Sequence, residues 1–127
     1  MRSSSLRSNK RTATHAELGA AGEAIAADFL RARGLVLLAR NYRCRLGEID
    51  LIAGDGDTLV FVEVRLRTSS AFGGAAASIG GAKRARMTRA ARHYLATLGR
   101  EPACRFDALL LDALDPARVE WLRDIEM

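Results

Sequence analysis

Alternating apolar and polar residues between positions 47 and 67 predict the two strands of a β-hairpin. The dipeptide Asp55-Gly56 lies between them, and Asp-Gly suits the positive φ angles of a type I′ turn. With these two residues as the loop, Gly54 pairs with Asp57. This register also predicts two pairs farther from the turn, Asp50 opposite Phe61 and Glu48 opposite Glu63.

Side chains alternate between the faces of a strand, so the hairpin is predicted to have one charged and one apolar face. The charged face carries Glu48, Asp50, Glu63 and Arg65. The apolar face carries Ile49, Leu51, Val60, Val62, Val64 and Leu66. Like charges placed opposite each other destabilise a strand pair unless a cation lies between them. Two interpretations stay open: a solvated face neutralised by Arg65 and Arg67, or a metal site.

A first helix is predicted from about Thr14 to Arg33, where apolar residues recur at spacings of three and four. Thr14 and Glu17 form a capping-box pattern, and Gly34 is a natural stop. Gly19 and Gly22 within this helix indicate close approach of another backbone, because glycine lowers helix propensity. The predicted buried stripe consists of Leu18, Ala21, Gly22, Ile25, Phe29 and Ala32.

A second helix is predicted from Ala82 to about Leu98 and is ended by Gly99. Its predicted apolar face consists of Met87, Ala90, Ala91, Tyr94 and Leu98. Lys83 lies on the same side at the helix N-terminus, where a cation opposes the helix dipole. A lysine that points inward there needs a partner, which favours a functional role.

Three further strands complete the predicted order. The first starts at Leu35 and continues towards Gly47, and the others span Cys104–Asp112 and Val119–Ile125. A glycine- and serine-rich loop, residues 68–81, precedes the second helix. The order of helix, three strands, helix and two strands predicts an α/β fold, a mixed five-stranded sheet flanked by two helices.

Length and charge predict one domain, residues 13–127, behind a disordered basic tail, residues 1–12. The tail carries four of the 20 basic residues and no acid, so the remainder has 16 bases and 15 acids. No apolar run approaches the roughly 20 residues that cross a bilayer. We therefore expect a cytoplasmic protein without a membrane partner. Two histidines and two widely spaced cysteines make a zinc centre an improbable feature of this chain.

The distribution of charge inside the domain indicates a polyanionic partner. No Asp or Glu occurs between Val64 and Arg100, whereas the carboxylates cluster in the hairpin and the C-terminal third. Converging carboxylates beside a cation are the minimal equipment for Mg²⁺-dependent phosphodiester hydrolysis, since Mg²⁺ prefers oxygen ligands and keeps several waters. The candidate nucleic-acid-binding residues are Arg43, Arg45, Arg67, Arg84 and Arg86.

Asp50, followed thirteen residues later by Glu63-Val64-Arg65, resembles the signature of the PD-(D/E)XK, or restriction-endonuclease-like, nuclease superfamily. The longer stretches Gly-Glu-Ile-Asp-Leu-Ile-Ala and Phe-Val-Glu-Val-Arg-Leu-Arg resemble the YraN family of bacterial proteins. Shorter matches occur at residues 20–23, 41–43, 72–75, 83 and 105–107. The resemblance implies a restriction-endonuclease-like core similar to that of Holliday-junction resolvases.

The same resemblance implies roles for individual residues. Asp50 and Glu63 would be ligands of Mg²⁺ or Mn²⁺, together with the carbonyl of Val64. Glu23 would complete the site from the first helix, and Lys83 would reach the scissile phosphate. Glu48 has no fixed role in the superfamily and is expected to orient Arg65 or a water. Arg65 departs from the usual Lys, and because arginine stays protonated it stabilises charge without acting as a general base.

Three functions follow as hypotheses. The first is a Mg²⁺-dependent endonuclease or exonuclease that hydrolyses DNA, branched or single-stranded, in repair or recombination. The alternative is a catalytically weak or inactive nucleic-acid-binding module of a repair complex, and the third is an RNA-directed factor that uses the tail and Arg40, Tyr42 and Arg43. The sequence also leaves a homodimer open.

Overall fold

The computed structural model describes residues 15–67 and 79–127. The predicted tail, residues 1–12, and residues 68–78 of the predicted loop lie outside these ranges. In chain order the elements are α1 His15–Ala32, β1 Val36–Cys44, β2 Gly47–Asp55, β3 Thr58–Arg67, α2 Gly81–Ala96, β4 Cys104–Asp112 and β5 Val119–Leu122.

The strands form one five-stranded sheet in the order β1-β2-β3-β4-β5. β3 and β4 run parallel, with α2 between them in the chain, and the other neighbouring strands are antiparallel. The predicted α/β architecture, a mixed five-stranded sheet with two helices, is confirmed. No helix in the described ranges is long and apolar enough to cross a membrane.

One helix packs on each face of the sheet. Ala26 and Leu30 of α1 belong to an apolar cluster with Leu51, Val62 and Leu109. On the opposite face, α2 covers a second cluster consisting of Ile49, Ile52, Leu59, Phe61, Ala90 and Ala91. The central strands β2 and β3 are therefore buried on both faces, which is typical of strands covered by helices on either side.

Gly34 sets the end of α1. Its φ of 88° lies in the left-handed region, which glycine adopts without steric cost. The Leu35 N–H donates to the Leu30 carbonyl at 3.1 Å, a bond typical of a Schellman cap. Both leucines are buried in the same cluster, so the cap directs the chain from the helix into the core.

The predicted stripe of α1 is displaced from the observed one. The buried residues are Gly22, Ala26, Ala27 and Leu30, whereas Phe29 is half-buried and Ala32 is exposed. The predicted close approach of another backbone is also wrong. Among the described residues, Gly19 has nothing within 4 Å of the position of a Cβ, and Gly22 faces only side-chain atoms, the nearest at 3.8 Å. In contrast, the predicted face of α2 is confirmed for the buried Met87, Ala90 and Ala91. The helix ends at Ala96, so the partly buried Leu98 packs on the same cluster from beyond its end.

The hairpin turn lies one residue later than predicted. Asp55 pairs with Thr58, so Gly56 and Asp57 form the two-residue loop. Gly56 has a φ of 61° and Asp57 has no positive φ, which is the pattern of a type II′ turn with glycine first. Every predicted pair therefore shifts by two positions, and Phe61 lies opposite Ile52 instead of Asp50. A shift of two does not by itself move a side chain to the other face of the sheet.

One residue of the predicted apolar face is misplaced. Ile49 packs with Ile52 and Phe61 beneath α2, whereas Leu51 packs beneath α1. The alternation of β2 is therefore broken at Asp50. In the neighbouring strand β1, Asn41 has a φ of 51°. The alternation of β1 is therefore broken next to the break in β2, since the flanking pairs are Arg40 with Leu51 and Tyr42 with Ile49.

The C-terminal strand is anchored by the buried carboxylate of Asp107 in β4. Asp107 accepts hydrogen bonds from Arg105 Nε at 3.0 Å, Trp121 Nε1 at 2.9 Å and the Asp124 N–H at 2.8 Å. Asp124 has a positive φ of 56°. β5 therefore ends at Leu122 instead of the predicted Ile125, because the chain leaves the sheet to reach Asp107.

Candidate active site

Asp50 lies where the regular pairing of β2 with β3 stops. The last regular pair is Leu51 with Val62, and the next residues along the two strands are Asp50 and Glu63. The Val64 N–H donates to Asp50 Oδ2 at 2.8 Å, so a carboxylate takes the place of a main-chain acceptor. This bond holds the Asp50 side chain against β3 beside Glu63.

Glu63 is a buried carboxyl group, only 2% exposed. Its pKa is raised from 4.5 to about 8, chiefly by burial and in addition by the charge of Asp50 and a hydrogen bond with Asp50. The cations of Lys83 and Arg65 oppose this rise. The solvated-face interpretation is therefore wrong for Glu63, since this side chain faces the protein interior.

Lys83 reaches Glu63 from the first turn of α2. Its Nζ lies 3.5 Å from Glu63 Oε1 and 3.8 Å from Glu48 Oε2. The lysine side chain is only 19% exposed, which confirms the prediction that it points inward and has a partner. Glu48 also lies 3.7 Å from Arg43 Nε, so its carboxylate connects Lys83 to the basic surface of β1.

Arg65 contacts the other side of the same carboxyl group. Its Nη2 lies 3.9 Å from Glu63 Oε2, and about two thirds of its side chain is covered. Glu63 therefore has a cation on each oxygen. Because arginine stays protonated in proteins, this residue offers a fixed positive charge.

Glu23 approaches Asp50 from α1 on the other face of the sheet. Burial raises the pKa of Glu23, and the negative charge of Asp50 raises it further. A hydrogen bond with the Asn41 side chain and the charges of Arg43 and Arg40 oppose this rise. Sequence reasoning assigned no role to Asn41, although asparagine tolerates the left-handed conformation that its φ of 51° requires.

The comparisons with known proteins agree on one family. The family described as "Uncharacterised protein family UPF0102" matches residues 22–111. This chain belongs to the UPF0102 family. The matched range contains the whole set from Glu23 to Lys83, and the predicted resemblance to YraN proteins fits this family.

Individual UPF0102 proteins are similar over most of their length. A UPF0102 protein of Nitrosospira multiformis is 55% identical over 106 residues, which cover 84% of this chain and 89% of the relative. One of Methylobacillus flagellatus is 53% identical over 108 residues, covering 85% and 95%. One of Cupriavidus metallidurans is 59% identical over 108 residues, covering 84% and 78%.

The positions of the carboxylates bear on the metal ligands predicted for this UPF0102 protein. Among the described residues, no three His, Cys, Asp or Glu side chains converge closely enough to hold a metal ion. Asp50 and Glu63 are adjacent, and Glu63 Oε1 is buried and accepts no hydrogen bond from the described part of the chain. Two carboxylates and the nearby Val64 carbonyl suit Mg²⁺, which usually takes one or two carboxylates and keeps several waters. The role of Glu23 as a further ligand stays a prediction.

The predicted nucleic-acid-binding residues of the UPF0102 protein fall into separate groups. Arg43, Arg45 and Arg86 line one shallow groove that begins beside Glu48. Arg84 is not among the residues that line this groove. Its Nε donates a hydrogen bond to the Ile79 carbonyl at 3.0 Å. The side chain of Arg67 lies outside the described part of the structure.

Proposed function

We propose that this protein is a metal-dependent deoxyribonuclease of the PD-(D/E)XK type, with a core related to restriction endonucleases and resolvases. The observation that carries the proposal is the buried Glu63 carboxyl group, adjacent to Asp50 and 3.5 Å from Lys83. A buried carboxyl group with a strongly raised pKa, next to a second carboxyl group, is typical of functional sites. The description of the UPF0102 family names no activity, so the proposal rests on the site alone.

In the proposed site, Asp50, Glu63 and the Val64 carbonyl would hold Mg²⁺ or Mn²⁺. When bound, such an ion polarises a phosphate oxygen and activates water. Asp50 is oriented for this task by its bond to the Val64 N–H. The strand ladder therefore positions the ligand before any metal arrives, and this preorganisation lowers the cost of binding.

Lys83 and Arg65 supply the positive charge of the proposed site. Both cations lie within 4 Å of Glu63, at 3.5 Å and 3.9 Å. A fixed cation near the scissile phosphate stabilises the negative charge that develops in the transition state. Since Arg65 does not serve as a general base, the attacking hydroxide would form from a water whose pKa the bound ion lowers, with the proton passing to solvent.

A cleavage assay tests the proposed function. Purified protein is incubated with flap, junction, single-stranded and linear DNA in Mg²⁺ or Mn²⁺. We expect cleavage to fall by at least about 100-fold in Asp50→Asn and Glu63→Gln. Asp28→Asn, which removes an exposed carboxylate of α1, serves as the control and retains activity. Cleavage that persists in both site variants would refute the proposal.

A second candidate function is DNA binding without hydrolysis. Two observations favour it: Arg65 stands at the position of the usual lysine, and no three carboxylates converge within the described ranges. This candidate predicts DNA binding in EDTA that weakens steeply with salt and is unchanged in Asp50→Asn. Metal-dependent cleavage by the wild type, lost in Asp50→Asn, would exclude it.

A further inference from the structure

The turn between β1 and β2 presents an apolar side chain in a basic surface. Arg45 and Leu46 form this two-residue turn, since Cys44 pairs with Gly47. Leu46 is 51% exposed. Single exposed leucines are common on protein surfaces, so exposure alone carries no conclusion. The surroundings of this leucine distinguish it.

The main chain of the turn is held rigidly against α2. A Cβ at Gly47 would lie 2.0 Å from the Arg86 carbonyl oxygen, so strand and helix backbones are in direct contact there. Arg89 Nε donates to the Leu46 carbonyl at 3.3 Å. These two contacts hold the turn against α2 in the arrangement that leaves Leu46 exposed.

The turn also lies on the same surface as the candidate site. The groove that contains Arg43, Arg45, Leu46 and Arg86 extends to Glu48. Glu48 lies 3.8 Å from Lys83, which in turn contacts Glu63. A DNA strand bound along this groove would therefore run from Leu46 past Glu48 to the carboxylates of the candidate site.

From this arrangement we infer that the β1–β2 turn is a wedge that recognises DNA at a branch or fork. Arg43, Arg45 and Arg86 contact backbone phosphates, and Leu46 inserts against the base step where pairing ends. Apolar side chains flanked by basic residues unstack base steps in this way. Insertion costs least where a base is already unpaired, which creates a preference for DNA structure. The inference rests on the proposed function and names the DNA structure that the site would act on.

Binding measured in EDTA tests the wedge without hydrolysis. A labelled forked duplex is displaced by the unlabelled fork or by a relaxed, covalently closed duplex circle, which has no ends or branches. We expect the wild type to prefer the fork by about tenfold, a difference of about 1.4 kcal/mol. Leu46→Ser should reduce this preference to less than about twofold. Leu114→Ser is the matched control, because Leu114 is 39% exposed between β4 and β5.

A fluorescent base placed at the fork reports unstacking directly. 2-Aminopurine fluorescence should rise when the wild type or Leu46→Met binds, since methionine keeps an apolar side chain of similar size. The rise should be absent in Leu46→Ser and present in Leu114→Ser. A wild type without fork preference, or a Leu46→Ser variant that keeps both the preference and the rise, overturns the inference.

The arginines should behave differently from the leucine. Arg45→Ala and Arg86→Ala should weaken binding to both DNAs equally and reduce the salt slope by about one each. Arg100→Ala is the control, since Arg100 lies near Gly54 and Gly56, at the other end of β2. Arginine variants with unchanged affinity for both DNAs, or an Arg100→Ala variant with an equal loss, count against the groove.

The results separate this inference from the proposed function. A wild type that prefers the fork in EDTA but cleaves no DNA refutes hydrolysis and supports the wedge. A wild type that cleaves DNA, with a Leu46→Ser variant that keeps the full preference for forks, refutes the wedge and leaves hydrolysis standing.

Discussion

Lys83 on α2 and Glu63 on β3 meet at the centre of the candidate site, with Nζ 3.5 Å from Oε1. The glutamate side chain is 3% exposed and the lysine side chain 19% exposed, so both groups are largely removed from water. Taking two such groups out of water is costly, and their attraction only partly offsets that cost. A buried pair of this kind therefore adds little to the stability of the fold, and its presence is better explained by a function.

Removal of Lys83 should change both the chemistry and the titration of Glu63. The lysine lowers the pKa of Glu63, so Lys83→Met should raise that pKa further. A ¹³C NMR titration of the glutamate carboxyl carbons measures the change, and DNA cleavage should fall by about 100-fold or more. Arg92→Met, an exposed residue of the same helix, is the control. An unchanged Glu63 titration in Lys83→Met would contradict the prediction.

The stability of the protein should fall as pH rises through neutrality. The pKa of Glu63 is about 8 in the folded chain and has its ordinary value of 4.5 in the unfolded chain, so the folded form binds the proton more tightly. Its contribution to the free energy of unfolding is therefore fully present below about pH 4.5 and is lost as pH rises through about 8.

Urea unfolding in EDTA, between about pH 5 and about pH 9, measures this dependence. The wild type should lose more stability across that range than Glu63→Gln, which keeps the shape of the side chain but does not ionise. Parallel curves for the two proteins would show that Glu63 does not titrate in the folded state as described.

Two glycine-to-alanine substitutions should have opposite effects. Gly47→Ala should lower the free energy of unfolding by about 1–3 kcal/mol, because its Cβ would lie 2.0 Å from the Arg86 carbonyl oxygen. Gly19→Ala should raise it by about 0.5–1 kcal/mol, because no atom of the described residues lies within 4 Å of a Cβ there and alanine favours a helix. Denaturant midpoints measure both effects. A Gly47→Ala variant as stable as the wild type would refute the close packing at Gly47.

The buried carboxylate of Asp107 should matter far more than a comparable exposed one. Asp107→Ala removes the buried acceptor shared by Arg105 Nε, Trp121 Nε1 and the Asp124 N–H, leaves Arg105 with Asp55 alone, and should cost about 3–5 kcal/mol of stability. Asp112→Ala removes an exposed ion pair with Arg118 and should cost less than about 1 kcal/mol. Thermal unfolding of both variants checks the difference. Similar losses of stability in the two variants would show that burial does not determine how much these ion pairs contribute.

The sequence by itself determined the number, order and class of the elements. Its periodicity is a local property, and β4 begins and ends where the pattern predicts, at Cys104 and Asp112. It also determined that Lys83 points inward, because helical spacing places it above the buried Met87. Family membership followed from the same residues.

Only the tertiary structure decided the register of the hairpin and the surroundings of its carboxylates. Asp55-Gly56 and Gly56-Asp57 are both acceptable two-residue loops, and strand packing selects between them. The burial of Glu63 and its contact with Lys83 depend on α2 covering this face after the chain has left the hairpin. Such long-range packing leaves no local pattern, so the sequence named Glu63 and Lys83 by resemblance but the tertiary structure alone decided how they are buried and where they meet.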